Sequence, residues 1–305
     1  MKGVRELTIV LLVATCMPRA GAPTASQAVF RVGVEVVRLD VLATAGGRPI
    51  TGLGVQDFEV IDNGVQQRVK VATTGGDVVV ALVVDTSGSV EGEPLEHLVA
   101  ASQAVVKFLR PGDTASLVTF SNRLSLQAGS VREPAAVRNA LASPRAGGRT
   151  ALWDALFAGV SLVAGRPERS LVLLFTDGID NSSWMTRGQV AESLKRSETV
   201  VYAVQSQMAD RATTTGRERE NKARSDLQAV VNGSGGDVFE AESTAQLPAR
   251  FAAILQEFRS RYLVTYEPTG VRRDDGWHRV QVRVKGRRAR VVTRPGYYTA
   301  GAQAK

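Results

Sequence analysis

Val78-Val79-Val80-Ala81-Leu82-Val83-Val84-Asp85-Thr86-Ser87-Gly88-Ser89 decides how this chain folds. The run Val78 to Val84 is apolar at every position, with no polar alternation, so it reads as a strand buried on both faces of a parallel α/β sheet. Its end delivers one carboxylate and two hydroxyls into the loop at the strand's carboxyl edge. Open α/β sheets place their sites at that edge. These are hard oxygen donors, suited to Mg2+ or Ca2+ and poorly suited to soft metals.

Working outward, residues 77 to about 258 alternate strand and helix. A helix from Glu93 to Leu109 stops at Pro111-Gly112. Ala115 to Phe120 is a strand with Leu124 to Ala128 as its edge partner, and Pro134 to Leu141 reads as a short helix. Thr150 opens a helix carrying Leu152, Ala155, Leu156 and Leu162. Leu171 to Phe175 and Thr199 to Val204 are further apolar strands. Ser225 to Asn232 is a short helix, Asp237 to Phe239 a short strand, and Thr244 to Phe258 an amphipathic helix. Such alternation implies an α/β, doubly wound, Rossmann-like and mostly parallel sheet with helices on both faces. Ser206 to Lys222 is charged, lacks periodicity and reads as a long loop on the same rim as Asp85.

The flanks read as β. In residues 29–76, Val32, Val34 and Val36 alternate, and the phase then slips to Val37, Leu39 and Val41, as a β-bulge would produce. Asp62-Asn63-Gly64 is a hairpin turn. In residues 259–305, Val280, Val282 and Val284 alternate strictly with Arg279, Gln281, Arg283 and Lys285, giving one dry and one wet face. Neither flank holds enough strands to be stable alone. The economical solution is one small β-sandwich made from both flanks, with the α/β unit of 77–258 inserted between them.

The N-terminus has the layout of a secretory signal: Lys2 and Arg5, the apolar stretch Leu7 to Ala14, then small residues to Ala28. We expect 1–28 to be a signal peptide and the mature protein to be secreted or periplasmic, with no transmembrane span. Val13-Ala14-Thr15-Cys16 resembles a lipobox, apart from Thr15, so a lipid anchor on Cys16 is an alternative. The single Cys excludes an internal disulfide. It also excludes zinc sites built from four cysteines, or from two cysteines and two histidines. Net charge is +8, and residues 259–294 hold 11 Arg or Lys against 3 Asp or Glu, so 11 − 3 accounts for all of it. A basic face of that kind could meet an anionic envelope surface. The aromatic spacing of single-strand nucleic-acid binders is absent, and no specific nucleic acid is expected.

Three segments arrive at the rim that holds Asp85. They are Asp85-Thr86-Ser87-Gly88-Ser89, then Gly148-Arg149-Thr150-Ala151-Leu152-Trp153-Asp154-Ala155-Leu156, and Thr176-Asp177-Gly178 directly after the strand Leu171 to Phe175. In order and in strand–helix context, residues 77–258 resemble the von Willebrand factor type A (VWA) domain. The flanks, through Leu53-Gly54-Val55-Gln56-Asp57-Phe58 and Arg294-Pro295-Gly296-Tyr297-Tyr298, resemble a bacterial secreted family that contains this domain.

The resemblance implies a metal-ion-dependent adhesion site. Carried over, Ser87 and Ser89 would ligate the cation directly. Asp85, Asp177 and Thr150 would do so directly or through water. The expected ion is Mg2+, with Ca2+ or Mn2+ as alternatives, and two carboxylates would leave the Mg2+ site near neutral. The expected partner is a protein offering an Asp or Glu carboxylate, which makes the chain a secreted, non-enzymatic binding protein active in cell adhesion. Related domains switch conformation, so helix 244–258, joined to the β segment at Arg259, is expected to move on ligand binding. Asp154 is expected behind the site or on a helix partner, and Asp180 simply in solvent.

A structural or assembly module of the cell envelope, in which the metal only stiffens the rim, is the alternative. A metal-dependent hydrolase has less support. Asn232-Gly233-Ser234-Gly235 lacks the leading Gly of a nucleophile elbow. His97 lies in a helix and His278 in the β segment. No Gly-x-x-x-x-Gly-Lys-Ser/Thr loop is present. A phosphoacceptor Asp85 would want a second acid where Ser87 stands.

Overall fold

The computed structural model describes residues 36–131, 135, 139–140, 146–206, 213–241, 243–272 and 276–299. The expected signal segment 1–28 with Cys16, the phase slip before Val37 and most of the expected helix 134–141 lie outside these residues. The described residues belong to one compact unit.

Strand β6 (Val78–Asp85) sits near the middle of a six-stranded sheet. It pairs in parallel with β7 (Thr114–Phe120) and with β9 (Arg169–Thr176). β10 (Val200–Ser206) and β11 (Val238–Ala241) continue the sheet in parallel beyond β9, and β8 (Leu124–Val131) closes the other edge antiparallel to β7. Every residue of β6 is buried. Val78, Val80, Leu82 and Val84 pack with α1 (Glu93–Lys107) and α5 (Leu247–Ser260), through Leu98, Val105, Phe251, Ile254 and Phe258. Val79, Ala81 and Val83 pack on the other face with α2 (Leu152–Val163), α3 (Arg187–Lys195) and α4 (Thr214–Asn232). The unbroken apolar run is thus the signature of a strand that needs two dry faces. The chain leaves β6 toward β7 on one side and returns through β9 on the other. The carboxyl end of β6 is therefore the sheet's switch point, where a crevice opens.

The flanking segments pair with each other. β1 (Val37–Ala45) is antiparallel to the short β2 (Arg48–Pro49), to β12 (Tyr262–Tyr266) and to β14 (Arg290–Val292), and β12 is antiparallel to β5 (Val69–Thr74). β13 (Trp277–Val284) pairs with β3 (Phe58–Asp62) and β15 (Gly296–Tyr298). β3 turns into β4 (Val65–Gln67) through Asn63 and Gly64, at φ 44° and 85°. Two left-handed residues make the tight turn that Asn-Gly favours. Both sheets contribute to one hydrophobic cluster that includes Leu39, Val41, Phe58, Val60, Tyr262, Val264, Val280 and Val282.

Two expectations need correction. Ser206–Lys222 is not loop along its whole length; its residues 207–212 lie outside the described ones. From Thr214 it is helix, continuous to Asn232 and capped by Thr213, whose hydroxyl accepts from Gly216 N. Its first turns are charged on every side because few of them touch the core, so no apolar period betrays them. The basic surplus of 259–294 is also not one exposed face. Arg259 is paired with Asp113, Arg261 is 1% exposed, and Arg294 is buried with its guanidinium on the carbonyls of Ser197 and Arg38. Arg279, Arg283, Lys285, Arg287, Arg288 and Arg290 remain exposed.

Candidate functional site

Asp85 is fully buried at the end of β6. Its Oδ1 accepts from Ser87 N at 2.8 Å and its Oδ2 from the Thr176 hydroxyl at 2.9 Å. Thr86 turns the chain over the end of β7, with both its N–H and its hydroxyl on the Phe120 carbonyl. This turn brings Ser87 Oγ to 3.1 Å from Ser89 Oγ, the first buried and the second exposed. The first loop therefore presents oxygen atoms from a buried acid outward to solvent.

The second loop is stitched to the first. Gly147 N donates to the Thr86 carbonyl at 2.9 Å, and Gly88 N donates to the Gly148 carbonyl at 3.1 Å. Gly148 has φ +86°, and a Cβ there would fall 2.6 Å from Asn122 Oδ1, so a larger residue would be strained and would have to displace the Asn122 amide. Thr150, 4% exposed, follows directly. Its N–H donates to Asn181 Oδ1 and its carbonyl accepts from Asn181 N. That pair locks the second loop to the third.

The third loop leaves β9 at Thr176. Asp177 is buried; its Oδ1 accepts from Ile179 N, and its carbonyl accepts from Gln205 Nε2. Gly178 sits at φ +87°, where a Cβ would be 2.6 Å from that same Gln205 nitrogen. Beyond it, Asp180 Oδ1 accepts from Leu152 N at the start of α2, and Ser183 Oγ accepts from Trp153 N and Asp154 N. Asp154 answers through Oδ2 and Oδ1, which accept from Trp184 N and Met185 N. Asp154 is thus a partner of the third loop. Asp180 is not merely solvated: it caps the helix into which the loop of Thr150 leads. Asp180, Asn181 and Ser183 were missed as supports of the site. The visible signal was a run of capping residue types, Asp180-Asn181-Ser182-Ser183, just after a buried strand.

Burial pushes the Asp85 carboxyl up to about 6, and the nearby Asp177 charge adds to this against the opposing hydrogen bonds from Ser87 and Thr176. Among the described residues neither Asp85 nor Asp177 forms an ion pair, and no three His, Cys, Asp or Glu side chains cluster as a metal site. The donors gathered here are two carboxylates with no cationic side chain paired to them among the described residues, beside the hydroxyls of Ser87 and Ser89 and the loop of Thr150. Such a set of hard oxygens suits a small divalent ion. No helix among the described residues is long and apolar enough to cross a membrane.

An uncharacterized protein of Synechocystis sp. is 34% identical over 122 residues, which cover 37% of this chain and 29% of that one. The alignment thus spans less than a third of that relative. Proximal thread matrix protein 1 of the mussel byssus is 19% identical over 65% of this chain and 50% of its own, with a TM-score of 0.51. A second structure of that mussel protein, with a zinc-occupied MIDAS motif, gives a TM-score of 0.50 at 19% identity over 65% of this chain and 49% of its own. At that identity the likeness is one of fold. The model of the von Willebrand factor type A domain matches residues 79–252, more than half of the chain and within the bounds of the sequence resemblance, and this protein belongs to that family.

Proposed function

We propose that this protein is a non-enzymatic binding module that takes a carboxylate of a protein partner through a divalent cation. The cation is held by Asp85, Ser87, Ser89, Thr150 and Asp177. The observation that carries this reading is the pair Asp85 and Asp177, buried together without a cationic side chain. Buried like charges with no counter-ion are costly unless something positive joins them. Asp85 and Asp177 supply the charge, and the three hydroxyls fill further positions without making the site anionic. A bound ion supplies an electrophilic position for an oxygen of the partner. Mg2+ is the first choice for five hard oxygen donors, with Ca2+ or Mn2+ as alternatives. The zinc in the mussel protein supports a divalent occupant.

The two antiparallel sheets with their shared cluster support a sandwich into which the α/β unit is inserted. The segment 1–28 supports an exported protein, secreted or periplasmic, with Cys16 as an alternative lipid anchor. Arg279, Arg283, Lys285, Arg287 and Arg288 support a secondary contact with an anionic envelope surface.

Calorimetry with Mg2+ tests the site. Asp85→Ala is expected to abolish the binding isotherm while the circular dichroism spectrum is kept, and an unchanged isotherm refutes the reading. The backbone bonds that stitch the three loops together favour a second reading, in which the ion only braces the rim. In that case EDTA lowers the melting temperature but leaves partner binding unchanged.

A further inference from the structure

Trp184 is 95% exposed, and among the described residues the next most exposed large apolar side chain, Leu126, reaches 56%. A bare indole in water leaves one of the largest available apolar burials unused. Its backbone is nevertheless fixed. Trp184 N donates to Asp154 Oδ2 at 3.0 Å, and Met185 N donates to Asp154 Oδ1 at 2.8 Å. Asp154 lies in the first turn of α2, four residues after Thr150. The loop that carries Trp184 is the one that leaves Asp177. The indole is therefore presented on a rigid mount that the site itself supports.

The same loop borders a groove of about 280 Å3, with Trp153 and Ile179 on one side and Arg219 and Lys222 of α4 on the other. Arg149, beside Thr150, donates to the Asn181 carbonyl. Arg149, Arg187, Arg219 and Lys222 stand against Asp85, Asp154, Asp177, Asp180 and Asp226 around the site, so a bound divalent cation tips its charge to positive and complements an acidic partner. Exposed Trp on a fixed backbone, with Arg nearby, is the composition that dominates protein interfaces energetically.

Resting on the proposed cation-dependent capture, we infer that Trp184 is a second anchor of the same site, and that the partner is an acidic protein loop with an aromatic or aliphatic side chain close to its ligating carboxylate. The cation takes the carboxylate, and the indole covers the neighbouring apolar group. Because the Trp184 backbone is held before binding, only the two side-chain torsions of the indole remain to be ordered by the contact.

The test selects a library of disulfide-cyclised random heptapeptides on the full chain in Mg2+ and collects the peptides that EDTA releases. Those peptides are expected to carry Asp or Glu with an aromatic or aliphatic neighbour. Trp184→Ala should weaken them by about tenfold or more, Trp184→Phe should retain most of the affinity, and Mg2+ calorimetry should be the same for all three proteins. Replacing the peptide's apolar residue by Ala should add nothing in the Trp184→Ala background. EDTA-released peptides that bind Trp184→Ala as tightly as the parent overturn this inference and leave the cation reading standing. So does Trp184-dependent binding to anionic vesicles without Mg2+. A selection with no EDTA-released peptide instead counts against the cation reading itself.

Discussion

The Thr176 hydroxyl donates to Oδ2 of Asp85 at 2.9 Å, joining the carboxyl ends of two adjacent parallel strands across 91 residues of sequence. Even with this bond and that from Ser87 N, burial holds the Asp85 carboxyl up to about 6. The folded protein therefore binds this proton more tightly than the unfolded chain, whose Asp titrates near 3.8. The stabilisation is fully present below that value and is lost as pH rises through about 6. The loss is on the order of 3 kcal/mol, at about 1.4 kcal/mol per unit. In EDTA, melting followed by calorimetry should show a fall between pH 4 and 7 that Asp85→Asn largely removes. Saturating Mg2+ at pH 7.5 should restore stability to the parent and not to Asp85→Asn. Equal pH profiles for the two proteins in EDTA would contradict this account.

Asp180 caps α2 from across the rim, with Oδ1 on Leu152 N at 3.0 Å. Asp180→Ala should cost about 1 kcal/mol in urea denaturation, the usual worth of a helix cap. It should also weaken Mg2+ binding severalfold, because Thr150 lies two residues before Leu152 and loses part of its support. Asp180→Asn keeps the acceptor and should recover most of both losses. A purely solvated Asp180 would give no change in either measurement.

What was legible follows from where partners lie. The two-faced burial of β6, the alternation of β13 and the Asn63-Gly64 turn are set by neighbours in sequence, and all three read correctly. The loop motifs carrying Asp85, Thr150 and Asp177 read as one rim because each follows or faces a strand end. The supports of that rim were not legible: Asp180 and Asn181 act on residues about 30 positions away. The arginines misled for the same reason. Summed along 259–294 they make a basic face, but Arg261 is spent on Tyr202 Oη and Gly235 O, and Arg294 on Ser197 O and Arg38 O, deep between distant elements. Charge counting sees the residue and not its partner.

The expected movement of α5 meets resistance at its C-terminal end. Arg259 pairs with the buried Asp113, the Phe258 carbonyl accepts from Arg169 Nη2 at 3.1 Å, and Glu257 accepts from the Tyr202 hydroxyl. Arg261, just past the helix, donates to Tyr202 Oη at 2.6 Å and to the Gly235 carbonyl at 2.7 Å. Four attachments to the sheet and its adjoining loops make sliding of this helix costly, since breaking each leaves a buried polar group unpaired. Asp113 also accepts from Val78 N and Arg110 N. Asp113→Ala should therefore destabilise the fold by about 3–5 kcal/mol, as removal of one partner of a buried pair does. Hydrogen exchange gives the direct measurement. Amides of 250–260 should show the same protection with EDTA, with Mg2+, and with Mg2+ plus a selected acidic peptide, while amides of 86–90 and 178–185 gain protection. Faster exchange across 250–260 on ligand binding would show that these attachments release, and the helix would then be a moving part after all.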